Sequence, residues 1–251
     1  MPREIGLNTL AYMHRNADNK VEQKELLKEI KEMGFPIVEV RREYILSGKT
    51  EMKEIAALAS SSGLKVYYSV PAELFEAGAL NDQLSSYFEE ASLLSAVQLK
   101  MTLGEFRGFT AQLAEELRAL LKAYAIHLTI ENDQTSEKGS PAVLMAFIAE
   151  ARKASLDIGL TFDTGNFVYI DTNPLDAAKE MRQAVTYIHI KNVAETDEGI
   201  VLSGLESGLV DMRQLLSLFP DSVPVSIEYP CGIGDEVTKI ISADYKKIRS
   251  W

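Results

Sequence analysis

The chain has 251 residues, 46% of them hydrophobic and 25% charged, which suits one large soluble α/β domain with a full core. A formal net charge of −11 repels phosphate backbones unless a basic stripe intervenes, and no such stripe is visible, so no nucleic-acid partner is expected. No apolar run is long enough for a bilayer span, no leader is visible, and the single cysteine, Cys231, excludes an internal disulfide framework; a cytoplasmic protein without a membrane partner is expected.

Strand-like runs recur along the chain. They fall at Ile5–Asn8, Ile37–Arg41, Lys65–Val70, Val97–Met101, Ile126–Glu131, Ile158–Asp163, Thr186–Lys191 and Val225–Glu228. Helical patterns lie between them. Lys20–Met33 carries Leu26, Leu27, Ile30 and Met33 on one face and ends at Gly34. Thr50–Ser62 opens on a capping residue and stops at Gly63. Thr110–Ala125 and Ser140–Ser155 start the same way, the second with Pro141 in its first turn. Asp211–Phe219 and Asp235–Arg249 complete the set. No linker or low-complexity tract divides the chain, so residues 1–251 read as a single domain. Eight strands in this length predict a (β/α)8 barrel; the Gly-rich turn of a doubly wound sheet is missing after the first run.

In that fold, strand C-termini converge on one mouth, where active sites sit. Four consecutive runs end in Glu131, Asp163, His189 and Glu228. Three carboxylates and an imidazole suit one divalent cation that accepts oxygen and nitrogen ligands. Strand alternation adds further residues. If Val38 and Val40 face the helices, Glu39 and Arg41 point inward. The same parity sends Asn8, Gln98 and Lys100 inward and places Lys191 on the face of His189. Asn8, Glu39, Arg41, Lys100 and Lys191 are therefore candidate substrate contacts. The three cations suit an anionic substrate group or simply neutralise the carboxylates.

Four motifs resemble those of the xylose isomerase-like barrel superfamily: Ile-Glu-Asn-Asp (Ile130–Asp133), Thr-Phe-Asp-Thr-Gly-Asn (Thr161–Asn166), Tyr-Ile-His-Ile-Lys-Asn (Tyr187–Asn192) and Ser-Ile-Glu-Tyr-Pro (Ser226–Pro230). The likeness is nearest to sugar phosphate isomerases and epimerases related to tagatose 3-epimerase and inosose isomerase. It implies one divalent metal on Glu131, Asp163, His189 and Glu228, with manganese or magnesium favoured and cobalt or zinc as alternatives. It also implies that Glu131 and Glu228 serve as the acid/base pair. The activity implied is isomerisation or epimerisation of a sugar, sugar phosphate or keto-sugar acid, by alpha-proton removal through a metal-stabilised enediolate. A small-molecule carbohydrate is then the partner, and a homo-oligomer is compatible.

This chain departs from the pattern at two places. Asn166 stands where many members carry a histidine, and Glu195 where tagatose-type epimerases place an arginine. Asn166 can still hydrogen-bond a substrate hydroxyl. The departures keep open a metal-dependent dehydratase of an inosose or sugar acid, and a sugar-binding barrel without turnover. Endonuclease IV-like repair is disfavoured, because the chain has only three histidines. His127 reads as a packed interior histidine and His14 as solvent-exposed. Tyr67, Tyr68 and Phe75 read as core before substrate wall. Cys231 has no base partner in sequence, so no nucleophilic role is expected.

Overall fold

The computed structural model describes residues 2–18 and 20–251; Met1 and Asn19, within the expected single domain, lie outside the described residues. The strands are β1 (Ile5–Asn8), β2 (Ile37–Arg41), β3 (Lys65–Glu76), β4 (Ala79–Leu80), β5 (Gln98–Gly104), β6 (His127–Glu131), β7 (Ile158–Asp163), β8 (Val185–Ile190), β9 (Asn192–Thr196), β10 (Gly199–Ser203) and β11 (Val225–Ile227). The longer helices are α1 (Leu27–Glu32), α2 (Gly48–Ser62), α3 (Leu84–Leu93), α4 (Ala111–Tyr124), α5 (Ser136–Gly139), α6 (Pro141–Lys153), α7 (Pro174–Met181), α8 (Met212–Leu216) and α9 (Glu236–Arg249). Strands β1, β2, β3, β5, β6, β7, β8 and β11 pair in parallel, and the β2–β3 pairing closes the ring into a (β/α)8 barrel.

Strand alternation sorts the side chains as the parity reading requires. Val38, Val40, Leu99, Met101, Leu128 and Ile130 join the apolar layer under the helices. Inside the barrel, a small separate cluster of Ile37, Tyr67 and Tyr187 fills the middle, the two tyrosine rings 4.8 Å apart. Gly6 makes room for it: a Cβ there would lie 3.2 Å from the Tyr187 hydroxyl and 3.1 Å from Ile37. This plug is the floor under the mouth.

Several expected boundaries shift. The α2 helix starts at Gly48 rather than at a Thr50 cap. The buried carboxylate of Glu51 takes over the capping role, accepting from the backbone N–H groups of Leu46, Ser47 and Gln23. A negative charge at a helix N-terminus is favourable, and it satisfies donors the helix leaves unpaired. The segment expected to be helical from Lys20 is a 3-10 turn over Gln23–Leu26 before α1. Strand β3 runs beyond Val70 to Glu76, through a register irregularity that contains Pro71, and folds back onto β4. Gly104 at the end of β5 lets the extended part of β3 pass close beside it, because a Cβ there would meet the Phe75 carbonyl at 2.1 Å. Three helices, α3, α7 and the single-turn α5, and the antiparallel β9–β10 hairpin were not expected. No helix of the described residues is long and apolar enough to cross a membrane.

Candidate metal centre and active site

Glu131 ends β6, Asp163 ends β7, His189 lies one residue from the end of β8, and Glu228 follows β11. Their potential ligand atoms all lie within 4.8 Å of one another, and all four residues are buried. Side-chain-to-backbone hydrogen bonds fix the ends of β6 and β7. Asn132 donates to the Asp163 carbonyl at 3.0 Å and accepts from the Asp163 N–H at 2.8 Å, which ties the residue after β6 to the last residue of β7. Asp163 Oδ1 accepts from the N–H groups of Gly165 and Asn166 at 2.8 and 2.9 Å. That leaves Oδ2 to face the cluster, buried. Lys191 Nζ lies 2.7 Å away from Oδ2 as an ion pair.

His189 is held from behind. Its Nε2 lies 2.9 Å from both oxygens of Glu39, and Tyr187 donates its hydroxyl to the same carboxylate at 3.1 Å. Its Nδ1 faces the cluster, in contact with Glu131 Oε1 and 3.3 Å from Glu228 Oε2. Each ligand carboxylate has a cation of its own. Lys100 Nζ is 2.6 Å from Glu131 Oε2, and Arg41 Nη1 is 2.8 Å from Glu228 Oε1. Asn166 accepts from Lys191 at 2.7 Å and from Gln134 at 3.0 Å, and donates to the Asn132 carbonyl.

Charge controls protonation here. Burial alone would raise Glu131, but Lys100 and His189 outweigh it and hold this carboxyl at about 2. Burial likewise opposes the charge on Glu228, and His189, Lys191 and Arg41 bring it well below the usual carboxylate range. Asp163 goes the other way: burial, with Glu228 and Glu131 nearby, lifts it to about 6 despite Lys191. Burial disfavours a charged His189, yet Glu228, Glu39 and Glu131 raise its pKa well above the ordinary value. Without a metal, an imidazolium thus neutralises part of the carboxylate charge. The donor set fits a divalent ion: three buried carboxylates and one ring nitrogen aimed inward, their ligand atoms within 4.8 Å of one another.

The structure also gathers the candidate substrate contacts around this cluster, with one difference in depth. Glu39 has both oxygens engaged by His189 and Tyr187 and is 1% exposed, so it stands behind the imidazole rather than at the opening. Asn8 is buried at the end of β1; its Oδ1 accepts from the Leu10 N–H while its Nδ2 has no partner among the described residues. Ser69, which sequence reasoning missed, shares register with Arg41 and Lys100, and its buried hydroxyl also has no partner among the described residues. Its parity with Tyr67 on β3 was the available signal.

The remaining residues settle as ordinary structure. His127 is half-buried and bonds the Thr186 hydroxyl at 3.1 Å. His14 is half-buried and pairs with Asp18 at 2.6 Å. Tyr68 donates to Glu90, and Phe75 packs among Phe106, Phe109 and Phe147. The Cys231 thiol is buried, which raises its pKa, and donates to the Tyr229 carbonyl. Glu195 is exposed on the β9–β10 hairpin.

No protein-family model matches the sequence, and no curated protein sequence does. Solved structures do match over the whole chain. A xylose isomerase domain containing protein from Salmonella typhimurium LT2 superposes with a TM-score of 0.71 at 15% identity, covering 99% of both chains. The fold is that of the xylose isomerase-like barrels. Another barrel of this kind, D-psicose 3-epimerase from Clostridium cellulolyticum H10, solved with D-tagatose, gives a TM-score of 0.72 at 10% identity over 98% of each chain. The IOLI protein, solved with a zinc atom, gives 0.71 at 14% identity, covering 98% of this chain and 96% of its own. A (β/α)8 barrel with a buried Glu–Asp–His–Glu cluster at its mouth is thus the frame for any activity.

Proposed function

We propose that this protein is a divalent-metal-dependent isomerase or epimerase acting on a carbohydrate through removal of a proton alpha to a carbonyl. One observation carries the reading. Glu131 and Glu228 come from the two outer members of four adjacent strands, approach the same His189 nitrogen from either side, and are each paired with a separate cation. Two ionised carboxylates flanking one point suit proton removal on one face of a substrate and return on the other. The structural likeness to a sugar epimerase supports the same reading.

Glu131, Asp163, His189 and Glu228 would hold the ion, with manganese or magnesium favoured by three oxygen donors. Such an ion supplies Lewis-acid chemistry, drawing charge from a bound carbonyl oxygen. The chain's own residues do the rest. Glu131 and Glu228 exchange the proton. Glu39 fixes the tautomer and orientation of His189, as outer carboxylates do for ligating imidazoles. Lys100 and Arg41 position the two glutamates. Asn8, Ser69, Asn166 and Lys191 contact substrate oxygens. Asn166 hydrogen-bonds and does not carry a proton, so the exchange stays with the glutamates.

The test is incubation of the metal-loaded protein with a panel of ketoses, keto-acids, inososes and their phosphates in deuterated water. Incorporation of deuterium beside the carbonyl of at least one compound is expected. A product lighter by one water would move the reading to a dehydratase. Exchange in no member of the panel, with metal and ligand both bound, would leave a sugar-binding barrel without turnover.

A further inference from the structure

A second site lies at the other end of the barrel. A cavity of about 370 Å³ opens among the residues that precede β1, the end of α8 and the end of α9, at the N-terminal end of the strands and opposite the mouth. Pockets of this size hold small organic molecules. Four charged side chains line it: Arg3, Arg213, Arg249 and Asp221. Three cations against one anion is a local reversal in a chain of net charge −11, whose overall field repels anions.

Arg3 is largely committed to the fold. Its Nη2 donates to the carbonyls of Leu216 at 3.1 Å and Phe219 at 2.8 Å, which closes the end of α8, and lies 3.6 Å from Asp221. Its Nη1 is buried and, among the described residues, has no acceptor. A guanidinium nitrogen in that state calls for a water or a ligand oxygen. Arg213 and Arg249 are exposed, and among the described residues neither makes an ion pair or a side-chain hydrogen bond. Apart from Ser217, the rest of the wall is apolar, formed by Pro2, Ile5, Leu216, Phe219, Ile248 and Trp251.

Guanidinium groups recognise carboxylate and phosphate through paired N–H donors, and the apolar wall suits a carbon body. We propose that this cavity binds a small organic oxyanion, a carboxylate or phosphate carried on an apolar body, through Arg3, Arg213 and Arg249. This site is independent of the chemistry assigned to the mouth.

Trp251 is the chain's one tryptophan and lines the cavity, so its fluorescence reports binding there. The intact protein is titrated with benzoate, phenyl phosphate, inorganic phosphate and neutral benzyl alcohol at constant ionic strength. A saturable change is expected with benzoate or phenyl phosphate, and the tighter of the two identifies the anion. Benzyl alcohol and inorganic phosphate are each expected to bind more weakly, lacking the charge or the apolar body. Arg213→Ala and Arg249→Ala should each raise Kd by roughly three- to tenfold, as loss of one exposed charged contact does. The double variant should lose the saturable response. Arg3 is left in place because it closes α8. Asp163→Ala, at the mouth, should titrate like the parent. No saturable change with either aromatic anion, equal binding of benzyl alcohol, a double variant that titrates like the parent, or loss of binding in Asp163→Ala would each overturn the proposal.

Discussion

Glu39 and His189 are 150 residues apart in sequence, yet both oxygens of Glu39 lie 2.9 Å from Nε2 of His189. The contact leaves Nδ1 as the ring atom that faces Glu131 and Glu228. A carboxylate behind a ligating imidazole fixes its tautomer and raises its basicity, and its loss typically weakens metal affinity by roughly ten- to a hundredfold. Glu39→Gln should therefore lower affinity by about that factor while leaving the metal stoichiometry unchanged. Competition with a calibrated chelator measures it. Unchanged affinity would show that the imidazole is oriented by packing against Tyr187 alone.

Metal uptake should depend on pH in a direction set by His189 and Asp163. His189 is raised above its ordinary value, so in the metal-free protein it carries a proton that must leave before Nδ1 can ligate. Affinity should thus rise with pH across the neutral range, by about one decade per unit, with about one proton released per ion. Below about 6 Asp163 is protonated as well, and the fall should steepen. The sign for stability is opposite for the metal-free protein. Its raised His189 contributes stability that is present below the unfolded value and lost as pH rises through the folded one. Calorimetry in buffers of differing ionisation enthalpy reads the proton release directly. Uptake without proton release would mean that His189 is not a ligand.

Glu131→Gln and Glu228→Gln test the proton transfer. Each keeps the side chain's shape and removes its basicity. Deuterium exchange into a confirmed substrate should fall by roughly a hundredfold or more in each, compared at saturating metal. Near-parental exchange in both would assign the transfer to other groups. The partners differ, Lys100 for Glu131 and Arg41 for Glu228, so unequal losses would show which carboxylate works on the slower step.

Much of this was legible from alternation. The ends of β1, β2 and β7 follow from apolar residues at every second position, and parity correctly sent Glu39, Arg41 and Lys100 inward. Parity gives direction and not depth. It could not show that Glu39 sits behind the imidazole, because that follows from the register Asn8–Glu39–Tyr67 and the Tyr187 plug. Helix α3 was missed although Leu84, Tyr87, Phe88 and Ala91 recur at helical spacing, because Gln83 gives its start no capping side chain, and α7 because its eight residues are short, although Asn173 and Pro174 mark its start. The β9–β10 hairpin continues directly from β8 across Lys191 and reads as one extended run until its turn. The basic cavity was invisible, since it is assembled from both termini of the described chain and α8.

The charge of the substrate follows from the charge of the mouth. Five carboxylates gather there, Glu39, Glu43, Glu131, Asp163 and Glu228, against the three cations Arg41, Lys100 and Lys191. With His189 neutral this leaves two negative charges, which one divalent ion cancels. The cations are paired with carboxylates, so none is left over for an anionic group. A neutral ketose or inosose should accordingly bind at least as tightly as its phosphate ester or the matching sugar acid. Replacing Arg41, Lys100 or Lys191 by methionine should weaken neutral and anionic substrates by similar factors, since each loss disturbs a ligand carboxylate before it touches the substrate. The measurement is KM for each pair of compounds across the three variants at saturating metal. One free charge-assisted contact is worth about 1.5–3 kcal/mol, or roughly ten- to a hundredfold in affinity. A phosphate ester favoured by that margin, and losing it selectively in one variant, would show that this cation leaves its carboxylate when the metal binds and takes the substrate's anion instead.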